Sequence, residues 1–280
     1  MSSDAGTTKR PRSAPLGVFD SGLGGLTVVR ALREVLPEED IVYLGDTARV
    51  PYGTKGPGTV VRYALACSRY LASEDVKAIV IACNTVSAVA PAHLRAALDL
   101  PVIGVIEPGA RAAVAATRSG RIGVLATAGT IASGAYPQAI SALSTRVEAF
   151  GQAAPLLVPL AEEGWLEGDV PTLAARRYLT PLAKLGVDVV VLGCTHYPLL
   201  RDTIEREAAS LLGPEARVVD SAHATATETS AFLESRGLRK EPTGKRGSLE
   251  LRVTDLPKNF AEVASRFLGE PCDRVEQVDL

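Results

Sequence analysis

The sequence predicts an α/β fold made of two pseudo-symmetric domains, each built on a parallel sheet. Apolar runs typical of buried strands alternate with amphipathic stretches typical of helices along nearly the whole chain. Several of these runs are almost continuous Val, Ile and Leu, as expected where helices cover both faces of a sheet. A strand, a turn and a cysteine motif recur in the same order in each half, which indicates two similar units.

The spacing of apolar residues predicts the individual elements in chain order. Continuous apolar runs predict strands at LGVFD (16–20), IVYLGD (41–46), KAIVIAC (77–83), PVIGVI (101–106), RIGVLAT (121–127), VDVVVLGC (187–194) and ARVVD (216–220). Apolar residues that recur every three or four positions predict helices at 26–36, 60–72, 86–98 and 199–212. This alternation implies parallel strands joined by crossover helices.

A near-repeat divides the chain into two units. The turn after the first strand, at Asp20, precedes Cys83 by 63 positions, and the turn at Thr127 precedes Cys194 by 67. We expect a disordered leader at 1–14, a first domain formed by 15–108 and 221–266, a second domain at 109–220 and a tail at 267–280. A site made by both halves would then lie in the cleft between the domains.

Composition excludes several classes of protein. The 280 residues include 30 basic and 32 acidic side chains, and no basic cluster suggests a nucleic-acid groove. The N-terminus has no apolar signal segment, and no apolar run approaches the roughly 20 residues that span a bilayer. We therefore expect a cytoplasmic protein with no nucleic-acid or membrane partner. Four cysteines without a CxxC pair, and three scattered histidines, favour free thiols and no metal site.

Two of the four cysteines are candidates for catalysis. Cys83 and Cys194 each follow a predicted strand and precede a predicted helix, at the sheet edge where α/β enzymes place their functional groups. A helix N-terminus lowers a thiol pKa, so we expect both cysteines to form thiolates readily. Cys67 lies on an apolar helical stripe and is expected in the core, whereas Cys272 lies in the polar C-terminal segment.

The turn FDSGLGG, at 19–25, allows three interpretations. Its glycines free backbone amides for an anion, but the spacing does not match GxGxxG and the chain has no GxxxxGK[ST], so nucleotide binding is disfavoured. A turn that offers amides to a carboxylate fits better, and a simple N-cap by Asp20 is the structural alternative. The loop containing Tyr52 and Gly53 is equally a structural turn or the wall of a ligand site.

Polar residues after each cysteine are candidates for substrate binding. Asn84 and Thr85 follow Cys83, and Thr195 and His196 follow Cys194, where they either cap helices or bind a small carboxylate. His196 lies two positions from Cys194 and is placed to tune or reprotonate that thiol. Glu162 and Glu163, in VPLAEEGW, follow an apolar run, and the structural interpretation of such a pair is a solvated helix face.

Six motifs in register resemble the glutamate racemases. They are GVFDSGLGG, LGDTARVPYG, ACNT, IGVLATAGT, VPLAEEG and GCTHYP, and they cover roughly residues 16–223. The resemblance implies a cofactor-independent enzyme that interconverts L- and D-glutamate and supplies D-glutamate for peptidoglycan. It also implies a homodimer.

The resemblance also implies roles for individual residues. Cys83 and Cys194 would exchange the α-proton on opposite faces of glutamate, Asp20 would assist Cys83, and His196 with Glu162 would assist Cys194, although Glu163 is an alternative to Glu162. Substrate contacts carry over to Asp20, Ser21, Tyr52, Gly53, Asn84, Thr85, Thr127, Thr195 and His196. Ala126 stands where relatives usually have glycine, which weakens the transfer to Thr127.

Two other functions remain open at this point. A racemase of the same superfamily that acts on aspartate or a hydantoin would keep both cysteines and differ around the substrate side chain. A regulatory protein that binds DNA gyrase is an alternative of another class, but the intact cysteines, Asp20 and His196 argue against a lost catalytic role.

Overall fold

The computed structural model describes residues 10–272 and 274–280, which form two parallel sheets covered by helices. The strands are β1 (Leu16–Asp20), β2 (Ile41–Gly45), β3 (Ala78–Ile81), β4 (Val102–Gly104), β5 (Arg121–Ala126), β6 (Glu148–Ala153), β7 (Val189–Gly193), β8 (Arg217–Asp220), β9 (Leu249–Val253) and β10 (Val275–Gln277). The first sheet has the order β10-β9-β2-β1-β3-β4, and the second has the order β6-β5-β7-β8.

Helices connect the strands. They are α1 (Leu26–Val35), α2 (Pro57–Ser73), α3 (Asn84–Ser87), α4 (Pro91–Ala97), α5 (Ile106–Ala116), α6 (Ala128–Ser133), α7 (Ala135–Leu143), α8 (Leu157–Glu162), α9 (Asp169–Ala183), α10 (Arg201–Leu212), α11 (Ser221–Arg236) and α12 (Phe260–Leu268). Among the described residues, no helix is both long and apolar enough to span a membrane.

The two sheets share one topology, which confirms the predicted pair of pseudo-symmetric α/β domains. The order β2-β1-β3-β4 in the first domain matches β6-β5-β7-β8 in the second, and every pairing is parallel. Cys83 follows β3 and Cys194 follows the equivalent strand β7. Because parallel strands end at the same edge of a sheet, each cysteine lies at the carboxyl edge of its own domain.

Both domains contribute to one apolar core. Val18 of the first sheet and Leu125 and Leu192 of the second belong to a single cluster of buried side chains. The expected boundary at 108/109 falls within α5, and that at 220/221 falls where β8 meets α11. These two helices pack against each other, and α11 also packs against α1. The connections between the domains are therefore embedded in helical packing.

The chain ends differ from the sequence expectation. Residues 1–9 of the expected leader lie outside the described residues. Residues 10–14 contact the rest of the fold although 11–13 are exposed: Arg12 donates to the Gly237 carbonyl at 2.9 Å, and Ala14 is buried. Residues 267–280 are not a simple tail, because they include the end of α12 and strand β10, which pairs with β9. In neither segment do apolar residues recur at a regular spacing, so the sequence does not predict its structure. The structure of each segment depends on contacts with residues far away in the chain.

Two internal elements also differ. The helix expected at 86–98 is divided into α3 and α4, because Pro91 has no N–H group and begins a new helix. The run LLVPL, which resembles a strand, forms α8 and carries Glu162 toward the cleft. Strands β6, β9 and β10 and helix α9 are absent from the sequence prediction, although the alternation of apolar and polar residues in LELRV is typical of a strand and could have indicated β9.

Candidate active site

A cavity of about 360 Å³ lies between the two domains. Its volume falls in the range of about 300 to 1,000 Å³ typical of small-molecule sites. Every site residue predicted from the sequence except Asp20 lines it: Ser21, Tyr52, Gly53, Cys83, Asn84, Thr85, Thr127, Glu162, Cys194, Thr195 and His196. Sequence reasoning missed an apolar part of its wall, formed by Val50, Pro51, Pro155, Val158 and Pro159.

Asp20 lies just behind the cavity wall and is almost fully buried. Its Oδ2 accepts a hydrogen bond from the Gly22 N–H at 2.9 Å, while Oδ1 has no hydrogen-bond partner among the described residues. Burial raises the pKa of Asp20, and this rise is opposed by the nearby His196 and by backbone amides. Asp20 does not cap α1, whose N-cap is Gly25. Backbone amides of the turn, including that of Gly25, therefore contact Asp20, while its Oδ1 has no partner in the described part of the chain.

The glycines of the FDSGLGG turn allow the two domains to approach closely. A Cβ on Gly24 would lie 2.3 Å from Thr195 Oγ1 and 2.5 Å from His196 Nδ1 of the second domain. A Cβ on Gly25 would lie 2.4 Å from the Asp20 Cβ. Thr27 adds a hydrogen bond from its Oγ1 to the Thr195 carbonyl at 3.0 Å. Close packing against the second domain therefore accounts for these glycines without a nucleotide.

Cys83 is enclosed on the first-domain side of the cavity. Its side chain is 5% exposed, and its Sγ lies 3.5 Å from Ser21 Oγ. Burial and the adjacent Asp20 raise the pKa of this thiol to about 12. The expectation that Cys83 ionises readily is therefore wrong for the unliganded protein, because desolvation and a neighbouring carboxylate outweigh the four-residue helix α3 that follows.

Cys194 has a different partner on the second-domain side. Its Sγ lies 3.8 Å from His196 Nδ1, and His196 Nε2 donates to Glu162 Oε1 at 2.9 Å. Burial lowers the pKa of His196, but hydrogen bonds to Cys194 and Glu162 raise it to about 10 overall. The next helical element is a 3₁₀ turn at Tyr197–Leu200, not an α-helix. The His196 side chain, rather than an α-helix N-terminus, is therefore the polar partner of this cysteine.

Glu162, and not Glu163, joins the site. Glu162 lines the cavity and contacts His196, whereas Glu163 follows the end of α8. Arg266 of α12 donates hydrogen bonds to the Ala161 and Glu162 carbonyls at the end of α8. No local sequence pattern indicates this contact, because Arg266 lies more than one hundred positions away.

Three threonine hydroxyls join the domains at the cavity. Thr85 Oγ1 lies 3.0 Å from Thr127 Oγ1 and 3.4 Å from Thr130 Oγ1, and the last two lie 3.0 Å apart. Thr127 also caps α6 by accepting from the Thr130 N–H. Sequence reasoning missed Thr130, although its place three positions after Thr127 is typical of a capped helix turn.

The loop that carries Tyr52 and Gly53 is anchored by the buried Asp46. Arg49 donates to both carboxylate oxygens of Asp46, Thr254 donates to Oδ1 at 2.9 Å, and Tyr52 donates to Oδ2. The loop then touches the second domain, since a Cβ on Gly53 would lie 2.9 Å from the Thr127 Cβ. Tyr52 and Gly53 are therefore a fixed wall of the cavity.

Asn84 offers a second polar group to the cavity. It begins α3, but the N-cap of that helix is Cys83, so the Asn84 side chain is not a cap. Its Oδ1 accepts from Tyr136, and its Nδ2 is buried without a hydrogen-bond partner in the described part of the chain. Buried polar groups are nearly always paired, so an open donor here and an open acceptor on Asp20 indicate a polar ligand.

The cavity offers no group of metal ligands. Within residues 10–272 and 274–280, no three His, Cys, Asp or Glu side chains converge in a way that could hold a metal ion. Cys67 is fully buried in the first-domain core, as expected, and burial raises its pKa to about 12. Cys272 is also buried, which its polar sequence context did not indicate.

The sequence matches a known protein family over most of its length. The family model for Asp/Glu/hydantoin racemases matches residues 26–229, most of the chain and nearly all of the cavity. The chain belongs to this family. The predicted resemblance to racemases is confirmed.

Individual racemases match over nearly their whole length. A glutamate racemase from Geobacter metallireducens is 50% identical over 265 residues, which cover 95% of this chain and 96% of the relative. The structure of glutamate racemase from Francisella tularensis in complex with D-glutamate has a TM-score of 0.87 at 36% identity, covering 96% of this chain and 98% of that one. The Thermus thermophilus glutamate racemase, solved with β-chloro-D-alanine, has a TM-score of 0.85 at 42% identity with the same coverage.

Proposed function

We propose that this protein is a glutamate racemase that interconverts L- and D-glutamate with Cys83 and Cys194 as the two proton-transfer groups. The observation that carries this proposal is the pair of cysteines at equivalent strand ends, both lining one interdomain cavity. Racemisation needs an acid or base on each face of the α-carbon, and two opposed half-sites supply them. Relatives that are 47% and 50% identical over at least 95% of the chain are named glutamate racemases.

The proton transfers follow from the surroundings of each thiol. In one direction, the thiolate of one cysteine takes the α-proton, the electron pair is delocalised into the carboxylate, and the thiol of the other cysteine delivers a proton to the opposite face. The roles reverse in the other direction. His196, held by Glu162, balances the charge at Cys194, and Asp20 lies beside Cys83.

Substrate binding is assigned to the polar groups of the cavity. We assign a substrate carboxylate to the Nδ2 of Asn84, a residue that lines the cavity, and the substrate ammonium group to the unpaired Oδ1 of Asp20, which lies behind the wall beside Cys83. A bound ammonium would also lower the pKa of Cys83 by Coulomb attraction and so prepare the thiolate. Ser21, Thr85, Thr127, Thr195, Tyr52 and Gly53 complete the polar lining.

The wider role follows from the same assignment. We expect a cytoplasmic enzyme that needs no cofactor, assembles as a homodimer and supplies D-glutamate for peptidoglycan. Light scattering on the purified chain tests the dimer. Restoration of growth in a bacterial strain that depends on added D-glutamate tests the supply role.

Isotope exchange tests the catalytic proposal directly. The protein is incubated with L-glutamate in D₂O without added cofactor, while NMR follows the α-proton and polarimetry follows optical rotation. We expect the α-proton signal and the rotation to disappear. Cys83→Ala and Cys194→Ala should each lower racemisation by roughly 10³-fold or more, because each removes an essential proton-transfer group.

A matched control is Cys272→Ala, which removes a buried thiol that does not line the cavity and should keep full activity. Exchange of L-aspartate without exchange of L-glutamate would show that the substrate is wrong. Exchange of no amino acid would show that the enzyme proposal is wrong.

A further inference from the structure

A buried tyrosine of the second domain reaches across the domain boundary to Asn84. Tyr136 lies on α7 and is 1% exposed. Its hydroxyl donates to Oδ1 of Asn84, at the start of α3 in the first domain, at 2.8 Å. Tyr136 does not line the cavity, so it acts on a ligand only through Asn84.

The position of the Tyr136 hydroxyl is fixed by small residues around its ring. A Cβ on Gly109 of α5 would lie 3.3 Å from the hydroxyl oxygen, and a Cβ on Gly193 of β7 would lie 3.1 Å from Cε2. Both distances are tighter than ordinary van der Waals contact. Burial raises the pKa of Tyr136 above its usual range, so the hydroxyl keeps its proton and remains a donor.

With the Tyr136 hydroxyl as the donor, Oδ1 of Asn84 faces the phenol and its NH₂ group faces away from it. An asparagine side chain has one accepting oxygen and one NH₂ group with two donors. With Oδ1 engaged by Tyr136, the buried Nδ2 is left without a partner among the residues that the structure describes. Rotation of the amide would place Nδ2 at the phenol and present an oxygen, which repels a carboxylate, to the cavity.

We propose that Tyr136 is a positioning residue that holds the Asn84 amide with its N–H groups toward a carboxylate of the substrate. Because this contact joins the two domains, the orientation in which Asn84 of the first domain binds substrate depends on Tyr136 of the second. This inference rests on the proposed function, because it takes a carboxylate substrate in this cavity as given.

The test is a double-mutant cycle measured as racemisation of L-glutamate. Tyr136→Phe keeps the ring and removes the hydroxyl, so we expect kcat/KM to fall roughly 10-fold, the effect of about one lost hydrogen bond. The change should appear mainly in KM, because the Asn84 contact holds substrate and transition state alike. In the Asn84→Ala background, Tyr136→Phe should have no further effect on kcat/KM.

Two further variants separate positioning from general stability. Gly109→Ala places a methyl group against the hydroxyl and should raise KM in the same direction, and it serves as the second test if Tyr136→Phe does not fold. Tyr70→Phe removes a hydroxyl that accepts from Arg252 on the first sheet, and should leave KM unchanged. Thermal melts accompany every variant.

The outcomes are distinct. An unchanged KM in both Tyr136→Phe and Gly109→Ala, or additive effects of Tyr136→Phe and Asn84→Ala, would overturn the positioning role. Absence of glutamate racemisation by the wild-type protein would instead overturn the proposed function.

Discussion

The two cysteines occupy equivalent positions but have different electrostatic surroundings. Cys83 lies beside a buried carboxylate that raises its pKa, whereas Cys194 lies beside a histidine whose pKa is itself raised to about 10. At neutral pH the unliganded site therefore has a protonated Cys83 and a protonated His196. The near-repeat in sequence does not reveal this asymmetry, because Asp20 and Glu162 come from non-equivalent parts of the two halves.

The raised pKa of His196 predicts a pH dependence of stability. The folded protein binds this proton more tightly than the unfolded chain, in which a histidine has a pKa of about 6.5. The resulting stabilisation is complete below that pH and is lost as the pH rises toward about 10. We expect the free energy of unfolding of the wild-type protein to fall more steeply between pH 6 and pH 9 than that of His196→Gln. Urea titrations at several pH values measure this, and parallel curves for the two proteins would contradict it.

At the scale of elements, helix α12 of the first domain contacts the end of α8, the helix of the second domain that carries Glu162. Arg266 donates to the Ala161 and Glu162 carbonyls at the end of α8, and the Phe267 ring meets the His196 ring edge-on at 5.0 Å between centroids. A cation at a helix C-terminus satisfies carbonyls that have no partner within the helix. Gly164 makes room for the guanidinium, since a Cβ there would lie 2.8 Å from Arg266 Cζ.

Removal of this contact should affect both stability and catalysis. We expect Arg266→Ala to lower the free energy of unfolding by about 1 kcal/mol, because charge-assisted hydrogen bonds to the helix end are lost. Because Glu162 then holds His196 less firmly, kcat should fall roughly 3- to 10-fold, less than the loss of an acid–base group itself.

Arg118→Ala is the control for this prediction. Arg118 forms an exposed ion pair with Glu215 at 3.2 Å in the second domain, so its removal should change neither kcat nor stability appreciably. Equal kcat values for Arg266→Ala and Arg118→Ala would exclude a role for α12 in positioning Glu162.

At the scale of the molecule, the first sheet is built from two separate parts of the chain, and the second sheet from the part between them. The first sheet takes strands from 16–104 and 249–277, and the second takes strands from 121–220. One apolar core includes side chains of both sheets, and Thr27, Thr85 and Tyr136 make hydrogen bonds between the domains. Because the two sheets share an apolar core, and because the first sheet is completed only by strands that follow the second in the chain, we expect the two halves to fold together.

This coupling predicts one cooperative unfolding transition. The chain has one tryptophan, Trp165, which lies in the second domain and is 55% exposed. Its fluorescence reports on that domain, whereas far-ultraviolet circular dichroism reports on the helices of both. We expect the two probes to give coincident midpoints in urea, as for a two-state protein. Separate midpoints would show that the domains unfold independently.

Sequence reasoning succeeded where the pattern is local. The strands β1, β3, β5 and β7 are continuous apolar runs, and the residues that follow them are placed by the strand end itself. Parallel topology brings the ends of β1 and β3 to one edge of the first sheet, and those of β5 and β7 to one edge of the second. The packing of the domains brings residues at these two edges together around the cavity. Failures occurred where order depends on distant partners, as for β10, which pairs with β9, and for α8, whose apolar run resembles a strand.

The sequence by itself determined the fold class, the near-repeat and most of the polar residues around the cavity, because periodicity, strand ends and short motifs are properties of short segments. Only the tertiary structure decided what each of these residues experiences. It showed that burial and Asp20 raise the pKa of Cys83, selected Glu162 over Glu163 as the partner of His196, and brought Tyr136 to Asn84. Burial and charge neighbours arise from segments far apart in the chain, and these set the pKa values and the orientation of polar groups.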